Sequence, residues 1–446
     1  MRSMHRHWAT LTAFAVLGSG FARAQTPAPP PPTAVLPAAS ETARNVLARV
    51  QLSVVQIKGF FGSNSAQAFH GTGFAVRPGG VFVTNYHVVS EKVQYPEKFR
   101  LEYSATDGAT GRVDVLAVDV RHDLAIVRTV GFDRPALKLD GAEPAKGARA
   151  YAVGFPLDVG LTITEGVSNG KVEDSFEARI HYSGAVNPGM SGGPALNASG
   201  EVIGANVSGY LFQQLVSFLV PASHIDALVA EAPGEPPSAA DLQKSVAAQM
   251  RQHSSDLLGA IKSPLATQSL AGYSLPAKIA PFINCTAGGA PVSDDPVQMV
   301  RVSCAAKAGL HIQQGLSSGE IKYEHYVLAT DKLDAWRFAG RLSALSEARG
   351  TFGNPRHVAP FACDGRVLTL KNFEANVMVC TRAYRKLEGL YDFVVRVSSL
   401  DPVKSGFASH LDMYGLEFDA GMNFVRAYVS AMSYGPTPAK SAAVKP

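Results

Sequence analysis

The stretch NPGMSGGPALNASGEVIGAN, residues 187–206, sets Ser191 among Gly189, Gly192 and Gly193 and follows them with Pro194. Glycine loses more conformational freedom on folding than any other residue, so this clustering marks a backbone that takes φ values closed to side chains or approaches another group closely. A hydroxyl presented on such a turn can act as a nucleophile, and neighbouring N–H groups can face the oxyanion it creates. A serine nucleophile needs a base to take its proton, and the base needs an acid to fix its tautomer. His87 in VFVTNYHVVS and Asp123 in DVRHDLAIVR supply both residue types. Taken singly, each is ordinary: a serine in a tight loop, one histidine of twelve, a turn-forming aspartate. Together they run His, Asp, Ser along the chain, which distinguishes them from the Asp-His-Ser and Ser-Asp-His orders.

Such a constellation must be held by rigid elements. The segment ETARNVLARVQLSVVQIKGF passes from helix-type spacing to a strand, and GTGFAVRPGGVFVTNYHVV has two apolar runs around Pro78-Gly79-Gly80, a hairpin signal. Short apolar runs recur in VDVLAVDV, LAIVRTV, RAYAVGF, EVIGANVSG and LVSFLVP, separated by Gly, Pro and Asp. Many short strands without helix-length spacers predict an antiparallel barrel or sandwich. His87 then follows one strand directly, and Asp123 stands at the entrance to another.

Over about residues 44–230 the sequence resembles the HtrA (Deg)-type trypsin-like serine proteases. The motifs that carry the resemblance are GTGFAV before TNYHVV, then HDLAIVR, AVGFP, GLTITEGVSNG and NPGMSGGPALNASGEVIGAN, in that order. The resemblance implies a mainly β fold of two six-stranded antiparallel barrels (chymotrypsin/trypsin-like) with the site in the cleft between them, and it calls for no cofactor and no metal. It makes Ser191 the nucleophile, His87 the general base and then acid, and Asp123 the residue that orients His87. Gly189 and Ser191 would donate backbone N–H groups to the oxyanion, while Gly192 and Gly193 clear the cleft for a substrate backbone. Ala185 would line a pocket for a small or medium apolar side chain, and Val207, Ser208 and Gly209 would form the strand edge along which an extended peptide pairs. Met190 departs from the family, which usually has a polar residue there. No PDZ domain is recognisable downstream, so regulation through one is not implied.

The remainder of the chain sets the context. With 446 residues, 46% hydrophobic and 17% charged, the protein is expected to be globular and to hold more than one domain. Arg2 and Arg6 precede the apolar WATLTAFAVLG, and Ala22-Arg23-Ala24 supplies small residues for cleavage, so residues 1–24 read as a signal peptide of an exported, periplasmic or secreted protein with no stable membrane span after cleavage. Cleavage removes Arg2, Arg6 and Arg23 and no acid, taking the formal charge from +4 to +1. This near-neutral balance, without basic runs interleaved with aromatics, argues against a nucleic-acid partner. Residues 25–43 read as a Pro-rich linker, 44–232 as the protease domain, 233–240 (containing GEPPSAA) as a second linker, 241–435 as an α+β C-terminal domain and 436–446 as a loose tail.

Within the C-terminal region, DLQKSVAAQMRQHSSDLLGAIK has helical spacing, and VQMVRVSCAAKAG, EIKYEHYVLA, NVMVCTRAY and YDFVVRVSSL read as strands, with LEFDAGMNFVRAYVSAMSY closing the region. All four cysteines lie here, and their spacing does not match paired zinc ligands. In an exported protein they read as two disulfides, with Cys285–Cys304 and Cys363–Cys380 the most local of three connectivities. Polypeptide substrates are the expected partners, with an envelope protein held through the C-terminal region as a further candidate. Two other readings are a latent or non-catalytic protease-fold scaffold and an α/β-hydrolase. The latter needs a helix after Ser191, for which Gly192-Gly193-Pro194 is a poor start.

Overall fold

Short apolar runs punctuated by Gly, Pro and Asp close into two six-stranded antiparallel barrels in the computed structural model, which describes residues 40–207, 215–289, 295–306, 308–346, 353–400 and 404–435. The first barrel comprises β1 (Val54–Phe61), β2 (Gln67–Arg77), β3 (Val81–Thr84), β4 (Phe99–Ala105), β5 (Thr110–Asp119) and β6 (Leu124–Thr129), in the spatial order β1-β2-β3-β6-β5-β4. The second comprises β7 (Arg149–Gly154), β8 (Thr162–Lys171), β9 (Ile180–Tyr182), β10 (Pro194–Leu196), β11 (Val202–Val207) and β12 (Ser217–Pro221), in the order β10-β11-β12-β9-β8-β7. The double barrel inferred from the sequence is the fold. The sequence-derived signal peptide, most of the Pro-rich linker and the tail lie outside the described residues.

Period-two alternation explains why β6 is apolar at successive positions. Ala125 and Val127 enter one core with residues of β1, β4 and β5, whereas Leu124 and Ile126 enter another that continues into the second barrel through Tyr151, Val153 and Leu196. Both faces are covered, so both must be apolar. Helix α1 (Glu41–Val50) closes this second core with Ala43, Val46 and Val50. Its N-cap is Ser40, whose Oγ accepts a hydrogen bond from Ala43 N at 3.1 Å. The helix therefore takes in three residues that the sequence reading assigned to the linker.

Helix α2 (Tyr86–Gln94) follows β3 after a single residue, and α3 (Ala222–Glu231) follows β12 directly. Helix α4 (Ala239–Gly259) begins inside the expected second linker, because Ser238 caps it by accepting from Asp241 N at 3.2 Å. Leu242, Val246, Ala247 and Met250 of α4 enter the first barrel's core cluster with Val118 and Val120. The helix is also stitched to backbone: Gln249 Oε1 accepts from Val120 N and its Nε2 donates to Val118 O, both at 2.7 Å. From Ser40 onward the chain thus forms one compact unit rather than two bodies on a tether.

The C-terminal region is built on a seven-stranded antiparallel sheet with the spatial order Ile283–Gly288, Gln298–Ala306, Ile321–Ala329, Ser405–Glu417, Leu390–Ser399, Phe373–Ala383 and Ala362–Leu370. Helix α5 (Ala335–Ser346) covers one face, where Phe338 and Leu342 meet Leu328 and Ala408. Helix α6 (Phe418–Ser430) enters the other core, where Phe424, Val425 and Tyr428 join Val327 and Phe407. The final apolar stretch of the sequence therefore divides into a strand end and a helix. Cys285 and Cys304 are register partners on adjacent strands, as are Cys363 and Cys380, and both pairs form disulfides. The local connectivity is the one formed.

Gln249→Ala leaves the Val120 N–H and Val118 C=O without their amide partner, which costs about 1–3 kcal/mol. A lowered urea midpoint against the parent protein is the expected outcome, and an unchanged midpoint would show that water replaces the amide without loss.

Candidate active site

Three loops bring the sequence-predicted residues together. Asn85, between β3 and α2, donates from Nδ2 to Asp123 O at 2.7 Å, joining the start of the helix to the loop before β6. His87, the second residue of α2, then meets Asp123 twice: its backbone N–H donates to Oδ1 at 2.9 Å, and Nδ1 lies 2.7 Å from Oδ2. Asp123 holds φ at +60°, a left-handed conformation that aspartate tolerates better than most residues, and so turns its carboxylate toward the helix. A carboxylate on Nδ1 fixes the proton there and leaves Nε2 with the lone pair, the state a general base requires.

The charge balance of this pair is set by opposing effects. Burial disfavours the imidazolium of His87, yet the Asp123 charge and hydrogen bond outweigh it and hold the histidine above its ordinary range. Burial likewise favours a protonated Asp123, and the attraction and hydrogen bonds of His87 reverse the sign, holding the carboxyl below its ordinary range. His87 keeps 26% side-chain exposure and Asp123 15%. The base is reachable while its partner is shielded.

Ser191 sits on the turn between β9 and β10 and is 4% exposed. Within this turn Met190 N donates to Asn187 O, Gly192 N to Asn206 O and Gly193 N to Met190 O, at 2.9, 2.9 and 3.1 Å. Among the described residues, the N–H groups of Gly189 and Ser191 have no acceptor. Two donors on one short turn, left open while their neighbours are satisfied, are what an oxyanion site requires. Gly189 has φ +97°, and a Cβ there would lie 2.3 Å from Phe155 O and 2.5 Å from His70 Nε2. Only glycine fits, by conformation and by space.

Gly192 and Gly193, which the family resemblance assigned to clearing the cleft, are also required by packing within the protein. A Cβ on Gly192 would meet Thr84 Oγ1 at 2.3 Å and Thr72 O at 2.4 Å, and one on Gly193 would meet Val153 O at 2.1 Å. Both glycines let the turn press against strands of the two barrels. Met190, the departure from the family pattern, is wholly buried with Ile180, Tyr182, Val186 and Leu219, so its side chain belongs to the second barrel's core.

Thr72 and Asn206 escaped the sequence reading, although both stand inside motifs it quoted. Thr72 N donates to Ser191 O at 2.8 Å, and its Oγ1 donates to Gly189 O at 2.7 Å while accepting from Phe155 N at 3.0 Å. Asn206 N donates to Gly193 O at 2.8 Å, and its Nδ2 to Val153 O at 3.0 Å. The serine turn is thus tied to β2 on one side and β11 on the other. Among the described residues no hydrogen bond joins Ser191 to His87. Ala185 O accepts from Thr164 Oγ1 at 2.8 Å, and Val207 ends β11, while Ser208 and Gly209 lie outside the described residues.

Beside Asp123 lies a second charged cluster that sequence alone does not reveal. His122 Nδ1 is 2.6 Å from Asp119 Oδ2, and its Nε2 is 3.3 Å from Glu177 Oε2. Arg121 bridges Glu177 at 3.0 Å and Asp256 of α4 at 2.8 Å. Burial opposes charging His122, but the hydrogen bonds and charges of the two carboxylates prevail and push its pKa up to about 9. Among the described residues no group of three or more His, Cys, Asp or Glu side chains is arranged to hold a metal ion.

Part of the chain is similar to known proteins. Residues 71–204 match the family model of the trypsin-like peptidase domain. The chain is 35% identical over 150 residues to a probable periplasmic serine endoprotease, DegP-like, of Chlamydia pneumoniae, covering 32% of this chain and 30% of that protein. It is 30% identical over 201 residues to serine protease HTRA1 of Xenopus tropicalis, covering 42% of each. The crystal structure of the Rv3671c protease from M. tuberculosis in its active form aligns at 22% identity and a TM-score of 0.40, over 48% of this chain and 98% of that one. The chain spans less than half the length of these curated relatives.

The His122 cluster generates a stability prediction. A histidine whose folded pKa is raised contributes fully below its unfolded value of about 6.5, and that contribution is lost as pH rises through about 9. Thermal midpoints are therefore expected to fall between pH 6.5 and 9, and His122→Gln is expected to flatten the fall. An equally steep fall in the variant would remove His122 as its cause.

Proposed function

We propose that this chain, an HtrA-type trypsin-like serine protease domain over part of its length, is a serine endopeptidase working through His87, Asp123 and Ser191. The observation that carries the reading is the doubly hydrogen-bonded His87–Asp123 pair together with the two open N–H groups on the serine turn. His87 Nε2 takes the proton of Ser191 Oγ as that oxygen attacks the substrate carbonyl. The oxyanion receives the N–H groups of Gly189 and Ser191, each donor of this kind contributing about 10²- to 10³-fold in rate. His87 then returns the proton to the leaving amine, and water repeats the sequence to release the acyl group. Asp123 holds the tautomer and stabilises the imidazolium without itself taking the proton.

The substrates are unfolded or extended polypeptide segments, with Ala185 bounding a pocket for a small or medium apolar side chain and Val207, Ser208 and Gly209 offering the pairing edge. Export to the periplasm or cell exterior fits the basic and apolar start of the sequence and the two disulfides, and a role in envelope protein quality control fits such substrates. Among the described residues no helix is long and apolar enough to cross a membrane. One observation favours a second reading, a latent protease-fold protein: the missing Ser191–His87 hydrogen bond. Catalytic hydrogen bonds often close only when substrate binds, so an active enzyme accommodates it equally well.

Two measurements test the reading. A fluorophosphonate probe is expected to label Ser191 of the wild type and not Ser191→Ala, and the variant is expected to lose casein cleavage while keeping its fold. No label on folded wild-type protein would leave the latent reading standing. Because neutral His87 is the working base and its pKa is raised, kcat/KM is expected to climb with pH through an apparent pKa above about 6.5. A limb centred below 6.5 would contradict the assignment.

A further inference from the structure

Strand β11 leads from the serine turn into a cavity of about 590 Å³. Asn206 is hydrogen-bonded to Gly192 and Gly193, and the next residue, Val207, lines the cavity beside Phe218 and Arg179. The opposite wall is not part of either barrel. It is made by Asn284, Ala305, Ala306, Ala308 and Gly309 of the C-terminal region. Two residues past Gly309, the ring of His311 meets that of His87 edge-on with centroids 5.9 Å apart, and its Nε2 lies 3.2 Å from Ser90 Oγ. This wall is fixed to the catalytic helix α2, because Tyr86 Oη donates to Ile312 O at 2.9 Å and Gln314 N donates to Glu91 Oε1 at 2.8 Å.

We propose that the C-terminal region forms the second wall of the substrate groove, and that the cavity receives apolar side chains of an extended polypeptide on the β11 side of the scissile bond. The inference rests on the serine endopeptidase reading and adds a role for residues that the barrels alone do not supply. A chain that runs along Val207 toward Ser191 would pass between β11, which borders the serine turn, and the wall at Ala308 and Gly309, which leads to His311 beside His87. Val172, Val207, Phe218 and the Ala and Gly residues of the far wall give the cavity its apolar surface, the charged pair Arg121 and Glu177 is already joined at 3.0 Å, and Arg179, Glu320, Ser175 and Asn284 complete the lining.

Ala305 is exposed on the far wall, so Ala305→Trp fills the cavity without touching His87, Asp123 or Ser191. The test measures binding of fluorescein-labelled β-casein to full-length Ser191→Ala protein with and without Ala305→Trp, by fluorescence anisotropy. At least tenfold weaker binding by the filled variant is expected, with benzoylphenylalanine at position 305 crosslinking the bound casein and the same group at the exposed Trp336 position not doing so. Affinities within twofold of each other, or equal crosslinking at both positions, would overturn the proposal. Fluorophosphonate labelling of Ser191 in protein carrying Ala305→Trp alone keeps the catalytic reading separate. Failure to label both the wild type and the Ala305→Trp variant would count against the protease assignment rather than against the groove.

Discussion

Thr72 is the contact on which the site depends. Its N–H and Oγ1 hold the carbonyls of Ser191 and Gly189, while the Thr72 carbonyl accepts from Thr84 Oγ1 at 2.7 Å in the strand that leads to His87. One residue of the first barrel thus ties together the turn that carries Ser191 and the strand that leads to His87. The consequence is steric as well as polar. With β2 this close, any side chain on Gly192 would collide with Thr84 or Thr72, so the glycines of the serine turn are fixed by barrel contact before substrate is considered. A strained turn held by buried hydrogen bonds keeps its open donors in place and leaves little to reorganise during reaction.

The C-terminal region extends the same logic to His87 and Asp123, the other two residues of the proposed triad. Helix α4 grips the backbone around Val118 and Val120, three residues before Asp123, and reaches the Asp119–His122–Glu177 cluster through Asp256 and Arg121. The segment Leu310–Gln313 grips α2, and Lys386 adds a hydrogen bond to Gln94 O at 2.8 Å at that helix's far end. The elements carrying His87 and Asp123 therefore each have a second support outside the barrels. A shared apolar core joins the regions: Val246 and Met250 are as buried as the barrel residues they meet.

This arrangement also bears on how the protein would choose substrates. Val207, at the end of β11, faces Ala305, Ala306, Ala308 and Gly309 across the cavity, and in the proposed groove a bound chain would be confined on two sides. A narrow groove of this kind favours segments already extended, since ordering cost is lowest for a chain with no other structure to give up.

What the sequence determined by itself is local and periodic. The short apolar runs specified strands and an antiparallel barrel or sandwich, the family resemblance implied two barrels, the Gly-rich turn marked a presented serine, and the spacing of the cysteines made Cys285–Cys304 and Cys363–Cys380 the most local of three pairings, which is the one formed. His87, Asp123 and Ser191 were legible because each stands at a strand or turn boundary whose residues are constrained by chain geometry, and the structure joins His87 to Asp123 directly. What only the tertiary structure decided is everything set by approach between distant segments. Gly192 and Gly193 answer to Thr84, Thr72 and Val153, Met190 points into a core, and His311 arrives beside His87 from more than two hundred residues away. Such contacts have no period and no fixed spacing. They depend on which faces remain uncovered once the barrels close, and that is a property of the packed chain.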